Sequence, residues 1–533
     1  MEYPGAEPAI EAAPLWKRAL PWLLALFFGV LSLASRNLQE ISPSDPSRHL
    51  LNGALLYDMI RSGNVFHPME FSREYYMHYP ATSLPFHPPL FPLFEAALFS
   101  VFGVEPAVAR VAVAITVAAS ALLLYALILE LNASVTLAFL TTVTFLSLRI
   151  CRDVASAVML EFPALCLTLA ALYCLRRFDR KFSLRTGILF ALLGGAAAWT
   201  KQVALGLGAV PWLLTAFTNR WSYFRRRTIW ISSVIFGVLA LAVVEMPLMT
   251  LRWGGSAGKT RHTLPVLVAM RAAFYWQMLG RQFSAIGLVV LVAAVVLAGV
   301  RVFRRSEGWF ADSFYLAWMM GILAVPLVTP QFDQRYILGS YPAMIALGYL
   351  AVFRAAGMIF PRQWAWCPVY AAALSICVIS FTWWPKVYLL GVRPAAQFVA
   401  GERPARILYC GNQEGDFLAQ LRATNPRTPP IVIRSDQVPY VRTPEAIDVF
   451  AHRLGIDHIV VERSVDRSSG NEWAGLPTAK MELEKEFPIV DRLRQWGELA
   501  VYRFTDPAPN PPDSLWIRSR LLGRGVRLDA RDR

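Results

Sequence analysis

Charged side chains are scarce in this chain of 533 residues. Asp, Glu, Lys and Arg make up 17% of it, whereas 56% of the residues are hydrophobic. A soluble domain carries about 25% charged residues, so the shortage excludes an ordinary soluble fold. The hydrophobic residues also gather into runs near the length of about 20 residues that a membrane-spanning helix needs. We therefore predict a polytopic α-helical protein of the lipid bilayer.

Cysteine is also rare, and none of the six residues belongs to a Cys-x-x-Cys pair. Five of the six lie in or beside apolar runs, where free cysteines behave as small hydrophobic residues. This pattern excludes a disulfide framework and a cysteine-based zinc site. A glycine-rich phosphate loop is missing as well, because Tyr409–Asn412 is too short to form one. We expect no cofactor and no metal ligand cluster.

The net charge of +15 comes from 52 Lys and Arg residues against 37 Asp and Glu residues. In a soluble protein this excess would suggest a nucleic-acid partner. Here much of it lies in short loops between apolar runs, where basic residues mark the cytoplasmic side of a membrane protein. We therefore expect no nucleic-acid binding.

Five basic clusters define the predicted topology. They are Lys17 with Arg18, Arg176–Arg185, Arg220–Arg227, Arg301–Arg305 and Arg354–Arg362. Each gap between the last four clusters contains two apolar runs, so all four return to the cytoplasmic side. The predicted crossings are 19–35, 106–129, 134–150, 157–175, 186–199, 202–218, 228–250, 284–302, 310–328, 336–353 and 365–384.

The run 88–103 is short, begins with three prolines and contains Glu95. We interpret it as a re-entrant or juxtamembrane segment, which is tolerated at membrane depth where protein buries it. This interpretation places Arg149 and Arg152 outside, against the charge rule. It leaves eleven crossings, a cytoplasmic N-terminus and an extracytoplasmic C-terminus in the cell membrane.

The domain organisation follows from this count. Residues 1–15 form the cytoplasmic N-terminus, residues 16–384 the membrane domain, and residues 36–87 its long first extracytoplasmic loop. Residues 385–506 alternate strand-like and helical runs, which predicts a small extracytoplasmic α/β domain. Its predicted strands are 406–410, 431–433, 458–462 and 499–504, and its predicted helices are 415–423 and 444–454. The tail 507–533 is rich in Pro and Arg, and we expect it to be mobile.

The first loop contains a helical pattern that presents Asp45, His49 and Asn52 on one face. Leucines occupy its other faces, so the helix could lie along the membrane surface. Asp45 precedes Pro46, and an Asp before a proline at the first helical position is an ordinary N-cap. Capping therefore competes with catalysis as the role of Asp45, and a plain surface position competes with a functional one for His49.

Three further features lie at the extracytoplasmic end of the predicted bundle. Glu161 begins an apolar run, and a carboxylate at membrane depth is a functional candidate by default, although an interfacial acid with its head in water is the simpler alternative. Lys201 lies between two runs, against the charge rule. Gln331–Tyr336 fills a loop in which Asp333 and Arg335 could form a surface pair, which stabilises little.

A carboxylate with several fixed cations suits displacement at a sugar carbon that carries a phosphate leaving group. The carboxylate takes the proton of the acceptor, and the cations stabilise the charge that develops on the phosphate.

The order of these segments resembles the GT-C glycosyltransferases that use polyprenyl-phosphate sugars, similar to protein O-mannosyltransferases and lipid A aminoarabinose transferases. The resemblance covers about residues 15–355. It depends on the acidic first loop, a Pro-rich aromatic segment and a second acidic segment, followed by two basic segments: Asp45, His87–Gly103, Met159–Pro163, Thr200–Lys201 and Arg335–Tyr336 with Tyr341–Pro342.

The resemblance implies roles for particular residues. Asp45 corresponds to the catalytic base, and Glu161 to a second acidic catalytic position that is usually Asp. Lys201 and Arg335, with Tyr336, correspond to positions near the lipid phosphate. His87 falls where some relatives carry Lys, and His49 adds to the expected donor site.

The implied activity is sugar transfer from a polyprenyl-phosphate donor to a protein, lipid or glycan acceptor, with inversion. The family works without an obligatory metal, and a divalent ion between Asp45 and Glu161 stays open. Pro46 departs from the Asp-Glu that is usual in the first loop. A lipid or sugar transporter shares the helix count, but it would usually show inverted repeats, and we find none. A third alternative is a non-catalytic membrane scaffold, in which Asp45 would only cap its helix.

Overall fold

The fold is described from a computed structural model. It describes residues 14–34, 38–41, 44–84, 86–252, 263–329, 332–361, 363–382, 390–402, 405–411, 414–424, 428–438, 443–464, 476–490, 495–512, 514–519 and 524–529.

The first part of the chain is helical, as predicted. In chain order its helices are α1 (Leu15–Leu33), α2 (Asp45–Arg61), α3 (Pro68–His78), α4 (Leu90–Phe102), α5 (Pro106–Asn132), α6 (Val135–Ser147), α7 (Arg149–Ala155), α8 (Glu161–Lys181), α9 (Leu184–Thr200), α10 (Val210–Thr218), α11 (Arg227–Arg252), α12 (Leu264–Arg304), α13 (Trp309–Val328), α14 (Tyr341–Ile359) and α15 (Cys367–Phe381). Short 3₁₀ segments precede or follow several of them, at Asn64–Phe66, Gln202–Ala209, Trp221–Arg225 and Gln334–Ser340.

Within the described ranges, six helical stretches are long and apolar enough to cross a membrane unaided, or seven if the bent pair α6–α7 counts as one span. The predicted count of eleven therefore also needs α8, α9, α10 with its 3₁₀ segment, and α15, which are shorter or more polar. α4 has 13 residues, too few to cross. A re-entrant or juxtamembrane position for residues 88–103 is compatible with this length.

Two predicted runs differ from the structure. The run 134–150 is not one straight helix, because α6 and α7 meet at an angle of 67°. The run 284–302 is only the second half of α12, which is kinked at Ser284, where φ is 65°. The helical turns from Leu264 to this kink were not predicted, since polar residues such as Arg271 and Arg281 interrupt their apolar pattern.

The predicted cytoplasmic clusters meet at one end of the bundle. Asp179, near the end of α8, accepts hydrogen bonds from Arg220 and Arg176. Asp312 is bound by Arg301 and Arg354. Arg305 donates to the carbonyl of Thr218 and so joins the two groups. The grouping of the last four clusters on one side is therefore confirmed, and the assignment of this end to the cytoplasm stays a prediction.

The C-terminal part is a small α/β domain, as predicted. Its helices are α16 (Val392–Glu402), α17 (Glu414–Ala423) and α18 (Pro444–Leu454), and its strands are β1 (Arg406–Cys410), β2 (Ile431–Arg434), β3 (His458–Ser464), β4 (Met481–Val490) and β5 (Gln495–Phe504). The strand order is β2-β1-β3-β5-β4. β1 is parallel to β2 and β3, and β5 is antiparallel to β3 and β4.

Four elements of the C-terminal part were not predicted. β4 is an edge strand with many Glu and Lys residues, which are poor strand formers by propensity. α16 was not recognised either. The tail expected to be mobile contains the antiparallel strands β6 (Ser514–Ser519) and β7 (Arg524–Asp529).

Helix α2 is buried between the two parts of the molecule. Leu50, Leu51 and Leu55 are almost fully buried in a core shared with α17 and the sheet. Protein rather than lipid therefore covers the apolar faces of α2, and its position along the membrane surface stays a prediction. Gly53 permits the close approach of α4, because a Cβ at this position would lie 2.8 Å from the Cβ of Glu95.

Candidate active site

The N-terminus of α2 directs Asp45 towards the membrane domain. Ser44 holds the N-cap position, with φ of 82° and ψ of −120°, and Asp45 is the first helical residue, followed by Pro46. Asp45 Oδ2 accepts a hydrogen bond from Arg335 Nη2 at 3.1 Å. An ion pair rather than a backbone cap thus accounts for the direction of the Asp45 carboxylate, and the capping interpretation is wrong.

Arg335 connects three carboxylates. Its Nη2 donates to Asp333 Oδ2 at 2.8 Å as well as to Asp45, and its Nε lies 3.7 Å from Glu161 Oε1. The Asp333 carboxylate also accepts from the backbone N–H of Arg335 at 2.9 Å, which caps the 3₁₀ segment Gln334–Ser340. The alternative of an isolated Asp333–Arg335 surface pair is therefore wrong. The guanidinium is held in one orientation at the centre of the site.

Lys201 and Glu161 form the buried side of the site. Lys201 Nζ lies 2.5 Å from Glu161 Oε1, and only 2% of the Glu161 side chain is exposed. The ammonium also lies 5.1 Å from the ring centroid of Tyr336, a cation–π contact. Glu161 therefore faces protein and two cations, which removes the alternative of an interfacial acid with its head in water.

Two histidines line the side of the site that α2 provides. The rings of His49 and His87 pack edge to face with centroids 4.9 Å apart. Burial lowers the pKa of His49 to about 3, although attraction to Asp45 raises it and the charges of Lys201 and Arg335 lower it further. Burial also lowers the pKa of His87. Both imidazoles are thus neutral near pH 7 and offer hydrogen bonds rather than positive charge.

The segment that carries His87 is fixed by two hydrogen-bonding side chains. Asn52 on α2 donates to Ser83 Oγ at 2.9 Å and accepts from the Ser83 N–H at 2.8 Å. Gln202, next to Lys201, donates to the Phe86 carbonyl at 2.6 Å. The sequence placed Asn52 on the same helix face as Asp45 and His49. It did not predict the contact of Asn52 with Ser83 or that of Gln202 with Phe86, because the two residues of each pair are far apart in the chain.

The charges around Asp45 determine its ionisation. Burial of Asp45 raises the pKa of its carboxyl, but attraction to His49 and His87, which are protonated at the low pH where Asp45 titrates, and to Arg335, together with the hydrogen bond from Arg335, outweighs burial and lowers the pKa to about 2. Burial of Asp333 likewise raises the pKa of its carboxyl, and the contacts from Arg335 outweigh it and lower the pKa. Both side chains are therefore carboxylates at neutral pH.

A small cavity opens beside these groups. It is lined by the charged residues Glu161, Lys201 and Arg335, with Tyr336, and by apolar residues of α8, α13 and the two 3₁₀ segments. A ligand in this cavity would meet Lys201 and Arg335, with Glu161 between them, on one side and mostly apolar side chains on the other. An anionic head attached to an apolar chain has this chemistry.

The guanidinium of Arg335 lies between the carboxylates of Asp45 and Glu161. A divalent ion that bridges them would have to displace it. The question of a divalent ion between Asp45 and Glu161 stays open.

The structure brings together all seven residues that the sequence singled out. Asp45, His49, His87, Glu161, Lys201, Arg335 and Tyr336 come from five separate segments and surround one site. Asp333 joins them as a direct partner of Arg335.

A known protein family matches part of the chain. Residues 86–246 match the model of the family described as dolichyl-phosphate-mannose-protein mannosyltransferase. No curated protein sequence matches the chain.

Solved structures are similar over most of the chain. ArnT from Cupriavidus metallidurans in the apo state has a TM-score of 0.57 at 13% identity, covering 92% of this chain and 99% of that one. The same protein bound to undecaprenyl phosphate has a TM-score of 0.50 at 14% identity, covering 93% and 100%. Arabinofuranosyltransferase AftD from Mycobacteria has a TM-score of 0.54 at 14% identity, covering 94% of this chain and 40% of that one. These similarities establish the fold: the chain is a multi-pass membrane protein with the GT-C fold, and the resemblance drawn from the sequence is confirmed at this level.

Proposed function

We propose that this chain is a membrane glycosyltransferase that transfers a sugar from a polyprenyl-phosphate donor to an acceptor on the extracytoplasmic face. The observation that supports this most is the position of Arg335, which contacts Asp45 and Glu161 at the mouth of a cavity with a second cation, Lys201. The family match to a dolichyl-phosphate-mannose enzyme and the ArnT complex with undecaprenyl phosphate support the donor class.

In the proposed reaction Asp45 takes the proton of the acceptor nucleophile. The nucleophile forms a bond to the anomeric carbon while the bond from that carbon to the phosphate oxygen breaks, and the phosphate leaves with the electron pair. A single attack from the face opposite the phosphate inverts the anomeric configuration. Because phosphate is already a good leaving group, it needs charge stabilisation more than protonation. Lys201 and Arg335 supply that charge.

The ion pair with Arg335 acts with the attraction to His49 to weaken Asp45 as a base. A carboxylate with a pKa of about 2 takes protons poorly at neutral pH. A donor phosphate beside Arg335 would compete with Asp45 for the guanidinium. Donor binding would thus raise the pKa of Asp45 and activate the base only when the sugar is in place.

Glu161 has a different role from Asp45 in this proposal. It is deeply buried and bound by both cations, so it holds Lys201 and Arg335 in position rather than receiving the acceptor proton. Replacing the usual Asp by the longer Glu lets one carboxylate oxygen reach both cations. His49, His87 and Tyr336 complete the donor site as neutral hydrogen-bonding and aromatic groups.

The test is sugar transfer by the purified full-length protein from a panel of polyprenyl-phosphate sugars labelled in the sugar. A cell-envelope extract supplies protein, lipid and glycan acceptors together, and the label that leaves the donor is measured. Asp45→Asn keeps the shape of the side chain and removes the base. The matched control is Glu130→Gln, which breaks an ion pair with Arg180 far along the bundle.

We expect transfer from one donor by the wild type and by Glu130→Gln, and a loss of about 10²–10⁴-fold in Asp45→Asn, the range of general acid–base catalysis. Equal transfer by Asp45→Asn would show that another residue is the base. A wild type that moves an intact polyprenyl-phosphate sugar between the leaflets of a vesicle without cleaving it would support the transporter alternative instead.

A further inference from the structure

Three side chains with metal-binding atoms converge on the sheet of the α/β domain, away from the proposed active site. Glu402 is the last residue of α16, His458 is the first residue of β3, and Glu484 lies on β4. One ligand atom from each lies within 4.8 Å of the other two. Imidazole nitrogen and carboxylate oxygen are ligands that Zn²⁺ accepts.

The geometry of β4 turns Glu484 towards this point. The pairing of β4 with β5 shifts between Leu483 and Lys485, so Glu484 is the extra residue of a β-bulge. A bulge changes the direction of a side chain on a strand. His458 sits opposite Arg503 on the neighbouring strand β5, so all the groups lie on one side of the sheet.

His458 is the buried member of the group, with only 7% of its side chain exposed. Its Nε2 lies 3.2 Å from Glu484 Oε2, yet among the described residues neither ring nitrogen of His458 nor this Glu484 oxygen has a hydrogen-bond partner. Buried polar atoms are nearly always satisfied. The unpartnered nitrogen and oxygen face each other across a gap that one cation would bridge.

Asp457 lies beside the other ring nitrogen of His458, just beyond hydrogen-bonding distance. Its Oδ1 lies 3.6 Å from His458 Nδ1. The Asp457 carboxylate is itself fixed, since it accepts from the backbone N–H groups of Ala405 and Arg406 at 2.7 and 3.2 Å. A carboxylate on the far nitrogen of a metal-binding histidine orients the ring and strengthens the ligand.

Arg503 is the competing cation at this place. Its Nη2 lies 2.6 Å from Glu484 Oε1 and 3.6 Å from Glu402 Oε2. The Arg503 side chain is 54% exposed, so it can swing into solvent. The carboxylates of Glu402 and Glu484 face the single guanidinium of Arg503, so one negative charge is not neutralised and can attract a divalent cation.

We propose that Glu402, His458 and Glu484 bind a divalent metal ion of the Zn²⁺ type. Zinc holds such ligands at about 2.0–2.2 Å, so the three atoms draw together when it binds. The ion fastens the end of α16 to β3 and to the bulge of β4. It is a structural site of the extracytoplasmic domain and does not depend on the proposed sugar transfer.

The test measures binding of Zn²⁺ alone to the full-length protein in detergent, with any affinity tag removed, by isothermal titration calorimetry. Thermal unfolding is followed in parallel. The variants are His458→Gln, Glu484→Gln and Arg503→Gln. The matched control is His452→Gln, a histidine of the same domain that is half exposed and pairs with Asp506.

We expect one Zn²⁺ per chain, a higher unfolding temperature with the metal, and a loss of binding of at least about tenfold in His458→Gln and Glu484→Gln. The control should bind as the wild type does, and Arg503→Gln should bind more tightly because the competing cation is gone. A wild type that binds no Zn²⁺, or binding that persists equally in all variants, would overturn the proposal. If His458→Gln and Glu484→Gln fail to fold, the comparison of Zn²⁺ affinity between the wild type and Arg503→Gln tests the proposal. Equal affinity in these two proteins would also contradict the proposed site.

Discussion

Arg335 Nη2 lies 3.1 Å from Asp45 Oδ2, although 290 positions separate the two residues in the chain. Asp45 belongs to the first loop, and Arg335 belongs to the 3₁₀ segment before α14. Their contact joins an early segment of the membrane domain to a late one, and the site lies where the two segments meet. It also joins the proposed base to a cation that the proposed leaving group needs.

Arg335→Gln should lower sugar transfer by about 10²–10³-fold, because one positioned electrostatic contact contributes this much to a transition state. Arg335→Lys should recover only part of the loss, because the ammonium of lysine lacks the planar guanidinium fork with which Arg335 contacts three carboxylates. The rate of transfer under donor saturation is the measurement. Arg180→Gln, which breaks only the pair with Glu130, serves as the control and should transfer normally.

The pH dependence of transfer should differ between kcat/KM and kcat. The pKa of Asp45 in the free protein is lowered to about 2, so kcat/KM should show no acid limb from this group above about pH 4. In the donor complex the phosphate draws Arg335 away from Asp45, and the pKa of Asp45 rises. We therefore expect kcat to fall as the pH decreases through this raised pKa. Profiles measured from pH 4 to pH 8 decide. Coincident profiles would contradict the exchange of Arg335 between Asp45 and phosphate.

His49 should make the protein sensitive to acid. Burial lowers its pKa from 6.5 to about 3, so below pH 6.5 the unfolded chain takes up a proton that the folded chain refuses. The free energy of unfolding should therefore decrease as the pH falls from about 6.5 towards 3, by about 2 kcal/mol at pH 5 for this group. The difference between the unfolding temperatures at pH 7 and pH 5 should be smaller in His49→Gln than in the wild type, and the part due to buried His87 should remain. The exposed His452→Gln should keep the wild-type difference.

Gly53→Ala should destabilise the contact between α2 and α4. The added Cβ would lie 2.8 Å from the Glu95 Cβ and 3.0 Å from the Phe99 ring, and such overpacking costs about 1–3 kcal/mol. Sugar transfer should fall as well, since α2 carries Asp45 and His49. Gly237→Ala is the control, because nothing lies within 4 Å of its added Cβ. It should leave stability unchanged or raise it, as Ala favours helices, and equal loss in both variants would argue against the close packing.

Much of this site could be predicted from the sequence because carboxylates and cations are conspicuous beside apolar runs. Glu161 and Lys201 stand out on this ground alone, whereas Asp45 was favoured as a base over a helix cap only by the family resemblance. The contacts of Asn52 with Ser83 could not be predicted, since a helix pattern gives the face of a residue but not its partner 31 positions away. The burial of α2 was missed for a related reason: an apolar face does not reveal whether lipid or protein covers it.

The α/β domain shows the same limit of prediction from the sequence. β1 and β3 are short apolar runs, and the sequence predicted them. β4 was missed because Glu and Lys residues dominate its pattern, and pairing with β5 stabilises it. α16 was missed although most of its residues are apolar, and its buried face packs in the core of this domain. The convergence of Glu402, His458 and Glu484 needs the bulge in β4, which no spacing in the sequence indicates.

Helix α8 has a consequence for the surrounding lipid. Its first residue, Glu161, holds the two site cations, and Asp179 near its end holds the arginines of the opposite end. Eighteen residues of helix span about 27 Å, close to the thickness of the hydrocarbon layer. Both ends are anchored by ion pairs, so a thicker or thinner bilayer must deform around the protein. Lipid composition would then alter how readily a membrane-bound substrate reaches the cavity, while the distances among the reacting groups stay the same.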